Sequence, residues 1–205
     1  MSSSETSEQI KAALAGDEHA LGELLSAYRE RLRRMVSIRI DARVRSRFAP
    51  SDVVQEAYIE VARRISAGTA DSNIPFFLWL RLITGDQLAA LHRKHLGAGK
   101  RDASREADWN QGVMPAASSV YLACQLAGHF TSVDRGLRQE EVRERLENIL
   151  NSMSDRDREI IAMRHFEELS TEEIATILNV TRSGALKRYT RAIRRLAAAL
   201  EEVEE

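Results

Sequence analysis

The sequence predicts an all-α protein made of two small helical domains. Three observations carry this expectation. Apolar residues recur at three- and four-residue intervals along most of the chain. Helix breakers are sparse, with three Pro and ten Gly among 205 residues. Ser, Thr and Asp stand where several apolar stripes begin, the position of helix caps. A chain of this length accommodates two units of roughly sixty to ninety residues, each able to bury its own core.

The first clear stripe runs Leu21, Leu24, Leu25, Tyr28, Leu32, Met35 and Val36, one apolar face of a helix. Ala49-Pro50-Ser51-Asp52 then interrupts the chain. Pro50 fixes φ in the turn, and Ser51 or Asp52 is free to cap a second helix that buries Val54, Ala57, Tyr58 and Val61. Gly68 to Asn73 is mostly polar and, with Ile74 and Pro75, predicts a loop. A third helix starts near Phe76, carries Trp79, Leu80 and Ile83, and runs into the basic cluster His92-Arg93-Lys94-His95.

From Asp102 to Arg138 the periodicity weakens, and Gly112, Pro115 and Ser118-Ser119 break it. This stretch predicts a linker, within which Val120 to Leu126 has the composition of a short docked helix. Beyond it, Val142, Leu146, Ile149 and Leu150 mark one helix, and Ser154 with Asp155 and Asp157 opens the next. Ser170-Thr171-Glu172-Glu173 has the form of a capping box before Ile174, Ile177 and Leu178. A last helix places Leu186, Tyr189, Ile193, Leu196 and Leu200 on one stripe.

The net charge of −1 hides an uneven distribution. From Asn179 to Leu200 the chain carries Arg182, Lys187, Arg188, Arg191, Arg194 and Arg195 and no Asp or Glu. The single cysteine, Cys124, excludes an internal disulfide, fits a reducing cytosol and is expected to be a small buried hydrophobe. No apolar run reaches the length of a membrane span, and the Ser-rich start lacks the regions of a signal peptide, so a cytoplasmic protein is expected.

Three segments carry chemistry. The first is Ser170 to Arg195, a capped helix, a tight turn at Asn179 and a basic amphipathic helix, the pattern of a helix-turn-helix. The second helix of that motif enters the major groove, so Arg182, Ser183, Lys187, Arg188 and Arg191 would face DNA while Leu186, Tyr189 and Ile193 pack inward. A solvated charge run is the bland alternative, but an ordinary exposed helix mixes signs and this one does not. The second segment is Asp52 to Val61, where Asp52, Gln55, Glu56 and Glu60 form a polar face that alone reads as solvated surface. The third couples Pro75-Phe76-Phe77-Leu78-Trp79-Leu80 to Arg93-Lys94. Its aromatics could stack unpaired bases while the cations hold phosphates, although Trp79 and Leu80 fit a core better.

No CxxC, HExxH, Gly-rich phosphate loop or GxSxG is present. His92, His95, Cys124 and His129 can be drawn as a zinc site, but two of them lie in a cationic cluster that repels a metal. A non-enzymatic protein without cofactor or metal is therefore expected.

Taken in order, Asp52-Val53-Val54-Gln55-Glu56-Ala57-Tyr58, Trp79-Leu80 through Arg93-Lys94, and Glu173-Ile174-Ala175 through Arg191-Ala192 resemble the extracytoplasmic-function (ECF) sigma factors of the sigma-70 family over nearly the whole chain. The resemblance implies sigma domain 2 over residues 8–101, a linker over 102–137 and sigma domain 4 over 138–202. It implies that Asp52, Gln55 and Glu56 meet the β′ clamp of core RNA polymerase, and that domain 4 reaches the β flap. Arg93 and Lys94 would contact the DNA backbone, the loop from Gly68 to Pro75 would capture a flipped base of the minus-10 element, and Lys187, Arg188 and Arg191 would serve the minus-35 element. An anti-sigma factor is a further partner known in this family. Asp86, Ala90 and Leu186 depart from residues common in the family, which bears on the promoter sequence rather than on the class. The rival expectation is a stand-alone helix-turn-helix regulator, in which residues 1–100 would form a ligand or dimer module.

Overall fold

A computed structural model describes residues 3–71, 73–96, 114–130 and 136–201. These residues form helices and connecting turns, with no strand among them. The chain divides into two compact units, Met1–Pro115 and Ala116–Glu205, so the all-α, two-domain expectation holds. Among the described residues, no helix is long and apolar enough to cross a membrane.

The first unit contains α1 (Ser3–Leu14), α2 (Glu18–Ser37), α3 (Ala42–Arg45), α4 (Pro50–Ser66) and α5 (Phe76–Leu96). The Asp17 carboxylate starts α2 by accepting the backbone N–H groups of His19 and Ala20 at 2.9 and 3.0 Å. Leu21, Leu24, Leu32, Met35 and Val36 then turn inward, as the stripe predicts. At α4, Pro50 occupies the first turn, and the Asp52 carboxylate reaches back to accept the Ala49 N–H at 2.8 Å. Ala49 has no side-chain acceptor, so only the Asp52 half of a capping box is made.

Helix α5 is apolar around most of its circumference. Phe76, Phe77, Leu78, Trp79, Leu80, Ile83, Leu88 and Ala89 are all buried, and α5 packs against α2, α3 and α4. A helix without a polar side must lie inside its unit. Tyr28 stacks obliquely on Phe77 with ring centroids 5.2 Å apart, and the Arg31 guanidinium covers the same ring at 3.7 Å. Tyr58 on α4 donates its hydroxyl to the Leu25 carbonyl. Burial pushes the Tyr58 phenol up to about 12, so it keeps its proton as a donor.

The second unit contains α6 (Ser119–Phe130), α7 (Gly136–Ser152), α8 (Asp155–Ile161), α9 (Thr171–Leu178) and α10 (Arg182–Glu201). Helix α8 runs on into a wider π turn, Ala162–Phe166. The core gathers Leu122, Ala123, Leu146, Leu150, Ile160, Ile161, Met163 and Leu169, all fully buried. The division between units falls inside the stretch expected to be a linker. Its apolar piece is α6, packed on α7. Residues 102–113 and 131–135 of that stretch lie outside the described residues. Cys124 is exposed, contrary to expectation: Leu122 and Ala123 take the inward side of α6, and the next position along the helix turns out.

His92 joins the end of α5 to the start of α3. Its Nε2 accepts the Asp41 N–H at 3.1 Å, which requires an unprotonated Nε2. Burial lowers the His92 pKa from its ordinary 6.5, Asp41 opposes that shift, and Arg43 adds to it. The Asp41 carboxylate is itself held down at about 2 by its bonds to Arg43. A histidine depressed in the folded state contributes stability that is complete above its unfolded pKa. That contribution declines as pH falls through 6.5 toward the lower folded value. Asp41 adds loss only below 3.8. Urea unfolding of the native chain should therefore show lower stability at about pH 5.5 than at about pH 7.5, and His92→Gln should reduce that difference. An equal pH dependence in the variant would remove His92 from the account.

Candidate nucleic-acid interface

The hydroxyl Oγ of Ser170 accepts the Glu173 N–H at 3.1 Å, and Glu173 Oε2 accepts the Ser170 N–H at 2.7 Å. Both halves of the predicted capping box are thus made. Helix α9 ends where Asn179 takes the left-handed conformation, φ 49° and ψ 51°, which Asn tolerates better than most residues with a Cβ. The Val180 N–H closes the turn on the Ala175 carbonyl at 3.0 Å. Thr181 starts α10, its hydroxyl accepting the Gly184 N–H at 3.1 Å.

Helix α10 buries only part of the stripe formed by its large apolar residues. Its inward row is Ala185, Ala192 and Leu196, all buried, with Tyr189 and Ile193 partly covered. Leu186, expected inward, is 54% exposed. The reason is steric: α10 packs closely on α8 and α9, and alanine methyls leave room for that approach where a leucine would not. Tyr189 holds the helix to the π turn through its hydroxyl, 2.9 Å from His165 Nε2. Burial lowers the His165 pKa, and Arg164 adds to the shift.

Ser183, Lys187, Arg188 and Arg191, with Arg194, are all exposed on α10. The run has no carboxylate of its own, but two of its cations find one on other helices. Arg182 pairs with Glu172 at 2.8 Å, and Arg195 pairs with Asp157. Lys187, Arg188, Arg191 and Arg194 form no ion pair among the described residues. The motif thus presents a cationic face on one side and an alanine row on the other.

In the first unit, Asp52, Gln55 and Glu56 are exposed on α4 opposite buried Val53, Val54, Ala57 and Val61. Ile59 extends that outer face at 58% exposure. Glu60, expected on the same acidic face, is bound to Arg63 at 2.8 Å and Arg64 at 2.7 Å. These two arginines hold its carboxyl at about 2, so its charge is largely compensated. Arg93 and Lys94 are exposed in the last turn of α5. His92 turns to Asp41 and His95 lies against Phe48, with ring centroids 4.6 Å apart, so the two histidines serve different neighbours.

Phe76, Phe77, Trp79 and Leu80 are core residues, so none of these aromatics offers a stacking surface. Between α4 and α5, Gly68 has φ +66° and its N–H bonds the Ile65 carbonyl at 2.9 Å. Its left-handed conformation thus ends α4. The Asp71 carboxylate accepts the Asn73 N–H at 2.9 Å, and Thr69 and Asn73 are exposed. Ser72 lies outside the described residues.

Residues 143–196 match the family model described as Sigma-70, region 4, a span that contains the whole helix-turn-helix. Among solved structures, CnrH in complex with the cytosolic domain of CnrY is similar, with a TM-score of 0.53 and 20% identity over 95% of this chain and 97% of that chain. The sigma factor RpoE from Bartonella quintana, in complex with the anti-sigma factor NepR, aligns with a TM-score of 0.44 and 17% identity over 90% of this chain and 96% of that one. The likeness to CnrH is one of fold. No curated protein sequence matches the chain.

The left-handed turn sets the angle between α9 and α10 and can be tested by itself. Asn179→Val introduces a branched side chain into that conformation and should lower stability by about 1–2 kcal/mol, whereas Asn179→Gly should cost less. Urea midpoints of the two variants check this, and equal midpoints would discount the turn as a constraint.

Proposed function

We propose that this chain, whose C-terminal unit carries the sigma-70 region 4 match, is a sigma factor of the ECF type that binds core RNA polymerase and directs it to promoters. The observation that carries the reading is the cationic face of α10, where Lys187, Arg188 and Arg191 stand exposed without counter-charges inside that match. The exposed Gln55–Glu56 face of α4 supports it independently, because a helix with a fully apolar inner side has its outer side available to a partner.

In this reading residues 8–101 act as sigma domain 2 and residues 138–202 as sigma domain 4, with α6 as part of the second unit. Asp52, Gln55 and Glu56 meet the polymerase clamp. Asp52 has a second task, since its carboxylate also satisfies the start of α4, so Gln55 and Glu56 are the cleaner probes of binding. Arg182, Ser183, Lys187, Arg188 and Arg191 contact the upstream element. Arg182 must exchange Glu172 for DNA, a small cost for an exposed ion pair.

Downstream, the loop over residues 68–75 receives a flipped base while Arg93 and Lys94 hold the backbone nearby. Extruding a base costs roughly a few kcal/mol, which contacts to the displaced base must offset. Since the aromatics beside the loop are committed to the core, capture falls to backbone groups and the polar side chains of Thr69, Asp71 and Asn73. The protein acts by binding alone, in the compartment that holds the polymerase.

Transcription in vitro with purified core polymerase on genomic fragments tests the reading directly. Initiation from discrete start sites is expected. A chain that binds DNA tightly by itself and leaves core polymerase unaffected would instead be a stand-alone regulator.

Two sets of variants divide the proposed contacts. Gln55→Ala with Glu56→Lys should weaken core binding at least tenfold and change stability by no more than about 0.5 kcal/mol, as expected for exposed helix positions. Unchanged core affinity would remove α4 from the interface. Replacing Lys187, Arg188 and Arg191 by Ala should reduce the logarithmic salt dependence of holoenzyme binding to an upstream-element duplex by about one unit for each phosphate no longer neutralised. An unaltered slope would mean that these three cations face solvent in the complex.

A further inference from the structure

Three large apolar side chains are exposed among the described residues: Ile59, Val120 and Leu186. A single exposed leucine needs no explanation on an ordinary surface. Leu186 does not stand on one. It lies in the second turn of α10, one turn beyond Arg182 and Ser183 and one turn before Thr190, with Lys187 beside it. At about 100° per residue, its side chain points roughly a quarter turn away from the inward row of Ala185, Ala192 and Leu196. It therefore borders the cationic face, in the part of a recognition helix that approaches base edges.

A leucine at this position has restricted chemistry. It can neither donate nor accept a hydrogen bond, so the donor and acceptor pattern of the bases offers it nothing. The apolar feature that the four bases present in the major groove is the 5-methyl group of thymine. Resting on the sigma-factor reading, we infer that Leu186 is a specificity-determining residue whose exposed side chain packs against a thymine methyl in the upstream promoter element. Lys187, Arg188 and Arg191 supply affinity that is indifferent to sequence, and Leu186 adds discrimination for thymine at one or two positions. Water leaves both apolar groups when they meet, and burial of one methyl changes affinity by about three- to fivefold.

The test uses holoenzyme reconstituted from the full chain and core polymerase. Duplexes randomised across the upstream element are selected for binding, and each thymine of the selected sequence is then replaced by deoxyuridine, which pairs identically but lacks the methyl group. At one or two positions the replacement should lower affinity about three- to fivefold for the native chain. It should have no effect for Leu186→Ala, which removes the apolar side chain from an exposed helix position without disturbing the core. An element selected without thymine, uniformly neutral replacements, or an equal decrease in Leu186→Ala would each overturn the inference. The sigma-factor reading fails differently. A holoenzyme that selects no DNA would sink both, whereas selection that depends on Lys187, Arg188 and Arg191 but shows no Leu186-dependent methyl effect would sink only the thymine contact.

Discussion

The close packing of α9 and α10 is the constraint on which the rest of the C-terminal unit depends. Asn179 ends α9 after eight residues by turning left-handed, and Thr181 caps the next helix two positions later. So short a connection brings α10 against α9, where small side chains allow a close approach. Ala175 on α9 and Ala185 and Ala192 on α10 are all buried. With alanines on the inner side, Arg182, Leu186, Lys187, Arg188, Arg191, Arg194 and Arg195 are all exposed, while Leu196 is buried and Tyr189 and Ile193 are partly covered. The exposed cations thus follow from the same packing that makes the unit stable.

Within the first unit, burial rather than a turn is the organising element. Most of helix α5 before its last turn is buried, Arg81 and Thr84 included, and α2, α3 and α4 cover it. Covering it occupies the apolar sides of those helices and leaves exposed the features that an intermolecular contact can use: the outer face of α4 and the basic end of α5. His92 fixes that basic end by turning inward to Asp41. Its neighbours Arg93 and Lys94, one and two positions on, are thereby left facing solvent.

Much of this fold is legible in the sequence, and what is not has identifiable causes. The helices with stripes of Leu, Val and Ile, the Ser170–Glu173 box and the turn at Asn179 all follow local rules, and each is present in the structure. The inward row of α10 escapes a pattern of large apolar residues because such a pattern gives alanine little weight, although close packing favours it. Cys124 departs from expectation for a related reason: in a short run rich in apolar residues, the stripe can be drawn at more than one rotation. Pairings remote in sequence leave no local trace. Arg195 and Asp157 are 38 positions apart, and Asp41 and His92 are 51 apart. Composition marks Gly68 as part of a polar loop, whereas its positive φ terminates α4. The exposed positions of the proposed interfaces are predictable, since they lie opposite apolar stripes. What touches them is not, because a partner leaves no periodicity in the chain that binds it.

The electrostatics of the chain also separate structural charges from available ones. A net charge of −1 would suggest weak attraction to DNA if it were spread evenly, but with a screening length of about 8–10 Å only nearby charges count at a binding surface. Glu60 is compensated by Arg63 and Arg64, Asp41 by Arg43, and Asp157 by Arg195. Each of these acids is matched locally. Arg182 and Glu172 form a different kind of pair, since both are largely exposed, with side-chain accessibilities of 75% and 60%. An exposed pair contributes at most about 1 kcal/mol, so an approaching phosphate can take the arginine at small cost. Glu172 would then be left unpaired beside the phosphate backbone. The pair therefore sets a cation and an acid side by side at the same edge of the motif. Local pairing in this way lets a nearly neutral chain present a cationic face.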